Sequence, residues 1–405
     1  MRNRLLLLGL LATTALASPA HAGGIGDVFV IAMENHNFIQ PTSFTGLQQL
    51  YANPVAPYIN SLVTPGNANA AQTAWAQNYY SVGANVHPSE PNYLWSEAGT
   101  NFGVQNDNQP YGVGGTDQNT TAHLTGLLNA NGVTWKSYQE GIDLTPGANG
   151  KPTNVVLPQS QWISPITNFS GINAPAVGNP GYVNPYNGSN QYNYAVKHDP
   201  MAYFSDTNGG NDGTSANPAA KYYSPLEQLK TDLANNTVSR YNWVTPDQYN
   251  DMHTELTGGF TDPRTNVHYT GDAAKIAQGD YFLSILVPQI MASQAYKDNG
   301  TIVIWNDETE GGDTTAFTSM EIVISKLAKG NAFASTLTYT HSSDLKTFEE
   351  LFNAPVAGGG FLGDANAVGT NDLADLFVPG AIPEPASMAL LATGLLGTGV
   401  IRRRR

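Results

Sequence analysis

Short apolar runs recur along the chain, and each is bounded by polar or turn-forming residues. Their length and composition are typical of β-strands buried on both faces. Five such runs stand out, at residues 28–33, 133–138, 241–245, 301–305 and 321–324. Segments with apolar residues at helical spacing lie between them, at residues 123–131, 225–233, 273–295 and 343–352, the last starting with a serine cap. This alternation predicts an α/β fold with a mainly parallel central sheet.

Three stretches, at residues 140–195, 205–222 and 256–270, match neither pattern. They are rich in Asn, Gly, Pro and Tyr. Long irregular segments inside a compact domain are often lids or binding loops, and we expect that here. Residues 356–380 are Gly-rich and indicate an exit from the domain, in which residues 371–377 could dock back.

Two of the predicted strands end in polar side chains. These are Glu34, Asn35 and His36 after the first strand, and Asn306, Asp307 and Glu308 after the fourth. The carboxyl ends of parallel strands meet at one edge of a sheet, where ligands bind. One interpretation makes Glu34 an acid at a helix start and His36 a surface residue. The other is a metal site, because a divalent cation relieves the cost of packing carboxylates together. Oxygen ligands suit Ca²⁺, Mg²⁺ or Mn²⁺ and also permit Zn²⁺ or Fe.

Ser89 is a candidate nucleophile in the segment His-Pro-Ser-Glu-Pro-Asn. It precedes a helical pattern at residues 93–98. A serine there can simply cap the helix. The same position also places a hydroxyl beside free backbone N–H groups that suit a phosphate, and coordination to a metal would make that hydroxyl nucleophilic.

Four further residues carry groups that can bind protons or metals. Asp251 and His253 follow the strand at residues 241–245, whereas His198 and His341 are isolated. Taken alone, a pair such as Asp251 and His253 is usually incidental, and a lone histidine is more often structural than catalytic.

Composition narrows the class of protein. The chain has 405 residues and no cysteine, which excludes disulfides, thiolate zinc sites and cysteine nucleophiles. Without Arg2, Arg4 and the four arginines at 402–405, twelve basic residues face 32 acidic ones, a net charge of −20. A nucleic-acid-binding protein would be expected to have the opposite sign.

Both ends of the chain have the pattern of targeting segments. Residues 1–22 combine a positive start, a short apolar run and an Ala-His-Ala cleavage site, which predicts a secretory signal peptide. The apolar run is too short for a membrane anchor. At the other end, Ile-Pro-Glu-Pro at 382–385 precedes an apolar segment and four arginines. This order resembles the PEP-CTERM sorting signal of Gram-negative bacteria. The resemblance implies processing by an exosortase, transient membrane contact through residues 381–405, and a final location at the cell surface or outside the cell.

Six short motifs between residues 26 and 353 together resemble a family of phosphoesterases. They are Glu-Asn-x-x-Phe at 34–38, Ser-x-Pro-Asn at 89–92, Lys-His-x-Pro at 197–200, Asn-Asp-Met-His at 250–253, Asp-Glu at 307–308 and Thr-His-Ser-Ser at 340–343. This family contains bacterial and fungal acid phosphatases and phospholipases C, within the alkaline-phosphatase-like superfamily. The resemblance implies a catalytic domain at residues 23–355, with a central sheet between layers of helices.

The resemblance also implies roles for particular residues. The implied metal ligands are Glu34, Asn35, Asp307, Glu308 and Ser89, for one or more divalent ions. Ser89 would be the nucleophile, with His253 and His341 as further catalytic residues. Asn92 and His198 would bind the phosphate, and Asp251 is a less specific match.

The sequence departs from the family pattern at His36, where arginine is common, and at Ile39, where an aspartate is common. The hypothesis is a secreted, metal-dependent phosphomonoesterase that acts through a phosphoseryl intermediate on Ser89. A phospholipase C-type phosphodiesterase is the alternative within the same class. A non-catalytic surface or biofilm-matrix protein on the same scaffold is the alternative outside it.

Overall fold

A computed structural model of the chain describes residues 24–81, 86–147, 152–163 and 181–383. The segment at 1–22 and most of that at 381–405 lie outside the described residues. Among the helices that are described, none combines the length and the apolarity needed to cross a membrane.

Eight strands form one central sheet in the order β12-β2-β11-β10-β1-β7-β3-β6. Their bounds are β1 Val28–Met33, β2 Thr73–Tyr79, β3 Trp135–Gln139, β6 Tyr223–Pro225, β7 Tyr241–Thr245, β10 Thr301–Asn306, β11 Glu321–Ser325 and β12 Phe333–Tyr339. β11 runs antiparallel to both of its neighbours, and the other five pairs are parallel. The prediction of a mainly parallel α/β sheet is therefore confirmed.

Helices cover both faces of this sheet. They are α1 Pro57–Leu62, α2 Ser89–Ala98, α3 Leu124–Ala130, α4 Leu226–Asn235, α5 Asp272–Ala292, α6 Gln294–Lys297 and α7 His341–Phe352. Alternate residues of β1 belong to two separate cores. Val28, Val30 and Ala32 pack in the core that contains side chains of α2, α3 and α7. Phe29, Ile31 and Met33 pack in the core of α1, α4 and α5, so apolar residues at every position of β1 are explained by burial on two faces.

Three strands of the central sheet, β2, β6 and β12, have no counterpart among the predicted ones, and β6 is only three residues long. β12 lies at the edge of the sheet, and three of its seven residues are exposed. β2 contains Gln77 and Asn78 near its end, where burial is partial. Neither segment presents the continuous apolar run that marks a strand buried on both sides.

Helix boundaries differ from the predicted ones at three places. α2 begins at Ser89, four residues before the predicted start. The cap of α7 is Thr340, and the predicted cap Ser343 instead closes a capping box from the third helical position. The predicted helix at 273–295 ends as α5 at Ala292, and Ser293 caps the short α6.

The stretches predicted to be irregular contain two small hairpins. These pair β4 (Leu144–Pro146) with β5 (Pro152–Val156), and β8 (Phe260–Asp262) with β9 (Val267–Tyr269). The predicted exit at 356–380 packs against the domain, since Leu373, Leu376 and Phe377 are buried in the core beside α7. The segment at 371–377 thus docks back as the sequence suggested.

Candidate active site

Three adjacent central strands bring the acidic residues together at their carboxyl ends. Met33 pairs with Asn306 in the β1–β10 register, so Glu34 and Asp307 leave the sheet side by side. The Glu34 N–H donates to the Asp251 carbonyl beyond β7 at 2.8 Å. The Asn35 N–H donates to Asp307 Oδ1 at 3.1 Å. Backbone pairing therefore holds these side chains in place.

Ser89 lies at the first position of α2 and faces Glu34. Its Oγ donates a hydrogen bond to Glu34 Oε2 at 3.1 Å, and the Tyr93 hydroxyl donates to Glu34 Oε1 at 2.7 Å. All three side chains are buried. The helix start therefore directs a hydroxyl at the acidic edge of the sheet, next to backbone N–H groups that the helix itself does not use.

A second group of contacts surrounds Glu308. Its carboxylate accepts from Asn35 Nδ2 at 3.3 Å and from Asn92 Nδ2 at 3.1 Å. His87 contacts Glu308 Oε2 through Nδ1 and Asp313 through Nε2, the latter at 2.9 Å. His87 therefore bridges two carboxylates, and hydrogen bonding to Glu308 raises the pKa of its imidazole to about 9.

His198 lies between Glu34 and Asp251. Its Nε2 is 3.0 Å from Glu34 Oε1, and its Nδ1 is 3.4 Å from Asp251 Oδ2. The ring stacks on Tyr93 with centroids 5.1 Å apart, and the His253 ring lies 6.1 Å away. Asp251, the less specific match in the sequence, thus belongs to the same cluster as the motif residues.

Close packing at β7 supports this part of the cluster. Asp251 Oδ1 accepts the His253 N–H at 2.7 Å across Met252, whose φ is +85°. Gly279 of α5 leaves room for that turn, because a Cβ there would lie 2.3 Å from Met252 Cγ. His253 Nδ1 is engaged by the Thr254 hydroxyl at 3.0 Å.

His341 occupies a different place from the other histidines. It is fully buried, and its Nε2 lies 2.5 Å from the Asp307 carbonyl oxygen. Its Nδ1 contacts the Tyr79 hydroxyl at 2.7 Å and the Trp305 indole N–H at 2.9 Å. Both ring nitrogens of His341, for which the resemblance implied a direct catalytic role, are therefore engaged by neighbouring groups.

Without a bound cation, burial shifts the pKa values of the titratable groups in this cluster toward their neutral forms. It raises the pKa values of Glu34, Asp307 and Asp251 well above their ordinary range, and neighbouring carboxylates raise them further. Burial lowers the pKa of His198 well below its usual value and that of His253 to about 4. The site thus disfavours both carboxylates and imidazolium ions in the absence of a compensating charge.

Several oxygens in this cluster fit a divalent cation. Among the residues that the structure describes, Asn35 Oδ1, Asp307 Oδ2 and Asp251 Oδ2 have no hydrogen-bond partner although they are buried. Ligand atoms of Glu34, His198 and Asp251 also lie within 4.8 Å of one another. Buried oxygens of this kind are normally satisfied, and a metal ion would satisfy them.

Four residues near the site had no role in the sequence analysis. Tyr93 and His87 flank Ser89, and Lys197 precedes His198, so proximity to the motifs was the signal that could have found them. His36, the departure from the family pattern, is buried with its Nε2 3.2 Å from Asp272 Oδ1. It therefore ties the start of α5 to the end of β1.

The buried carboxyls make a prediction for stability against pH. Burial raises the pKa of Asp344 to about 7 and those of Glu227 and Glu349 to about 8. Between the unfolded value near 4 and these folded values the folded state binds more protons, so stability falls as pH rises. We expect the chelator-treated protein to melt about 5–10 °C lower at pH 8 than at pH 5. A melting temperature that stays level or rises across that interval in calorimetry would contradict this.

Comparison with known proteins gives two similar fungal proteins. The chain is 26% identical over 226 residues to a probable acid phosphatase of Kluyveromyces lactis, covering 53% of this chain and 39% of that protein. It is 26% identical over 191 residues to an acid phosphatase of Aspergillus fumigatus, covering 47% of this chain and 32% of that protein. The matches therefore span about a third of the length of these relatives.

A solved structure with a similar fold is that of a protein in the alkaline phosphatase superfamily from Vibrio parahaemolyticus. It has a TM-score of 0.43 and 12% sequence identity, and the alignment covers 82% of this chain and 67% of that one.

The PEP-CTERM protein-sorting motif matches residues 381–405. A model of the Phosphoesterase family matches residues 33–355, which is most of the chain and includes every candidate site residue. The chain belongs to the phosphoesterase family.

Proposed function

We propose that the protein is an exported, metal-dependent hydrolase of phosphoric monoesters, similar in activity to acid phosphatases. The observation that carries this proposal is the Ser89 hydroxyl at the start of α2, hydrogen-bonded to Glu34 at the edge where Asp307 and Glu308 also lie. A nucleophile, an acidic cluster and backbone N–H groups without a partner inside the helix occur there together. That combination suits phosphoryl transfer, which depends on positioning and on neutralising charge.

The residues that would hold a cation are Glu34, Asn35, Asp307 and Glu308, with Ser89 as a further ligand. Asp251 and His198 offer donors to the same side of Glu34. A bound divalent ion supplies charge neutralisation for the phosphoryl oxygens and favours the alkoxide form of the serine.

Ser89 Oγ attacks phosphorus in line with the bond to the leaving alcohol, and its proton passes to Glu34 Oε2, the acceptor of its hydrogen bond, which returns the proton when the hydroxyl is restored. The P–O bond to that alcohol breaks as the Ser89 Oγ–P bond forms, which leaves a phosphoseryl enzyme. Water then attacks phosphorus, releases phosphate and restores the serine hydroxyl. The Glu34 contact at 3.1 Å orients Oγ for the first step.

The surrounding polar side chains have separate roles in this mechanism. Asn92 and His198 bind phosphoryl oxygens. His253 delivers the proton that the leaving alkoxide requires, and its pKa of about 4 confines the protonated, proton-donating form to acidic solution. Thr254 engages His253 Nδ1, which fixes the ring and leaves Nε2 for proton transfer. His341 holds the Asp307 carbonyl and acts as a positioning residue.

The test is hydrolysis of p-nitrophenyl phosphate by the purified mature protein, with metal content measured on the same sample. We expect turnover with a divalent ion present and its loss after chelation, with recovery when the ion is restored. Faster hydrolysis of bis-p-nitrophenyl phosphate or of phosphatidylcholine would support the phosphodiesterase alternative. A sample that binds no metal and hydrolyses no phosphate ester would refute the proposal in favour of a non-catalytic surface protein.

We also propose that an exosortase processes the sorting motif at residues 381–405 and that the product functions at the cell surface or outside the cell. The matched motif supports this. Membrane contact would then be transient and confined to that segment. The test is mass spectrometry of the protein recovered from cell-surface and culture fractions of the native host, where an intact C-terminus would contradict processing.

His87 is expected to influence metal affinity although it is not an implied ligand. It bridges Glu308 and Asp313, and groups that orient a ligand commonly change affinity by about 10–100-fold. We predict that His87→Gln weakens metal binding by about that factor in a competition titration. His268→Gln, on the exposed β8–β9 hairpin, serves as the control. Equal metal affinities of the two variants would refute a role for His87.

A further inference from the structure

Asp107 makes an unusual pair of contacts beside the candidate nucleophile. Its Oδ1 accepts the Glu90 N–H at 3.1 Å, and its Oδ2 accepts from Lys197 Nζ at 2.9 Å. Both oxygens of one carboxylate are therefore bound, one by the first turn of α2 and the other by a cation. Asp107 comes from the loop between α2 and α3, far from Lys197 in sequence.

The two donors suit an anion that reaches Ser89. Glu90 follows Ser89 directly, and its N–H is one of the groups that an α-helix leaves free at its N-terminus. Lys197 precedes His198, and its charge is attracted by Glu34 and Asp307 as well as by Asp107. An N–H group and an ammonium that bind two oxygens of a carboxylate can bind two oxygens of a phosphoryl group in the same way.

Asp107 itself is poorly placed to be a permanent structural partner. Its side chain is 32% exposed, whereas that of Lys197 is 15% exposed. The pKa of the Glu90 carboxyl is raised mainly by burial, and the nearby negative charge of Asp107 raises it further. Because an ion pair made by an exposed carboxylate contributes little free energy, the Asp107 side chain can move from this position into solvent at a small free-energy cost.

The loop around Asp107 is held by contacts that do not involve Asp107. The Asn108 carbonyl accepts from the Tyr203 hydroxyl at 3.0 Å, and the Thr116 N–H donates to the Gln109 carbonyl at 3.2 Å. Farther along, Asp117 accepts from Asn208 Nδ2 at 2.7 Å. The Asp107 side chain can therefore swing away while the loop stays in place.

We propose that Glu90 N–H and Lys197 Nζ form a subsite for phosphoryl oxygens, and that the Asp107 carboxylate occupies this subsite until the substrate displaces it. This inference rests on the proposed phosphoesterase function. Asp107 then acts as an internal competitor that weakens the binding of substrate and of product phosphate alike. Lys197 becomes a substrate-binding residue, although the family motifs suggested only a role for its neighbour His198.

The experiment measures the dissociation constant of inorganic phosphate for the metal-loaded mature protein by calorimetry. Asp107→Asn removes the competing charge and keeps the side-chain shape, so we expect phosphate to bind about 5–10-fold more tightly, since a competitor lowers apparent affinity by the fraction of sites it leaves open. Lys197→Gln is expected to weaken phosphate binding about tenfold or more. When Lys197 is already replaced by Gln, Asp107→Asn should change the dissociation constant of phosphate by a factor close to one. Asp107 has then lost its main partner and competes only weakly with phosphate.

Asp117→Asn is the matched control, since it alters an acid of the same loop that contacts Ser205 and Asn208 and not Lys197. Equal tightening by Asp117→Asn would assign the effect to loop mobility and overturn the proposal. Weaker or unchanged phosphate binding by Asp107→Asn would also overturn it, and would make Asp107 a residue that only positions Lys197. Thermal melting of each variant confirms that it is folded.

Phosphate binding does not require turnover, so the two proposals can fail separately. A protein that binds phosphate more tightly after Asp107→Asn but hydrolyses no ester would retain the subsite and lose the proposed activity. A protein that hydrolyses esters but shows no tightening would retain the activity and lose the subsite.

Discussion

Ser89→Ala is expected to lower kcat for p-nitrophenyl phosphate by at least about 10³-fold, because the step that forms the phosphoseryl intermediate loses its nucleophile. The Ser89 hydroxyl lies 3.1 Å from Glu34 Oε2, so the substitution removes one oxygen and its hydrogen bond. Metal content should fall only slightly, since four of the five proposed ligands remain, and the melting temperature should change little. The measurement is steady-state hydrolysis with metal analysis of the same preparation.

Ser96→Ala is the matched control for this prediction. Ser96 is a buried serine on the same helix, and its hydroxyl donates to the Tyr93 carbonyl at 2.7 Å. We expect this variant to keep kcat within about threefold of the wild-type value. The lost hydrogen bond contributes about 1 kcal/mol to the stability of the fold and does not involve the proposed nucleophile. Turnover by Ser89→Ala equal to that of Ser96→Ala would eliminate Ser89 as the nucleophile.

Glu34→Gln is expected to separate metal binding from folding. Glu34 is fully buried, and burial together with Asp307 and Asp251 raises the pKa of its carboxyl. Replacing it by an amide should abolish the rise in melting temperature that saturating metal produces, a rise equivalent to about 4 kcal/mol when the metal exceeds its dissociation constant about a thousandfold. In chelator at pH 8 the variant should melt at or above the wild-type temperature, because it lacks a carboxylate that burial disfavours.

Glu227→Gln provides the comparison. Glu227 lies in the first turn of α4, outside the candidate site, and burial raises the pKa of its carboxyl to about 8. This variant should also be stable in chelator, but the metal-dependent rise should remain as large as in the wild type. If Glu34→Gln kept the full metal-dependent rise, Glu34 would not be a ligand.

The sequence was most informative where strands are buried on both faces. β1 and β10 were predicted because each contains a continuous run of apolar residues, which also made the polar residues at the ends of these runs conspicuous. Parallel pairing then implied that Glu34 and Asp307 lie together, and the register of Met33 with Asn306 agrees with that expectation. The family resemblance added the order of the motifs, which the family match over residues 33–355 supports.

Contacts between side chains on irregular segments could not be predicted in this way. Asp107 and His87 approach the site from loops, where neither the period of a helix nor that of a strand relates sequence to direction. The edge strand β12 was missed because half of its pattern faces solvent. The contacts of His341 could not be predicted either, because a histidine in a sequence carries no signal for a buried contact to a backbone carbonyl.

The pairing of β1 with β10 also affects how the chain can be exported. Asn35 and Asp307 are separated by 272 residues in sequence. Contacts between residues this far apart in sequence form late and slowly, because closing the long intervening loop costs conformational entropy before the contacts stabilise the chain. The first strand therefore has no partner on either side while most of the chain is still being synthesised, since its other neighbour, β7, begins only at Tyr241. If the chain is exported as proposed, a central strand that waits for its partners would keep the chain unfolded during translocation, and the acidic cluster would form only afterwards.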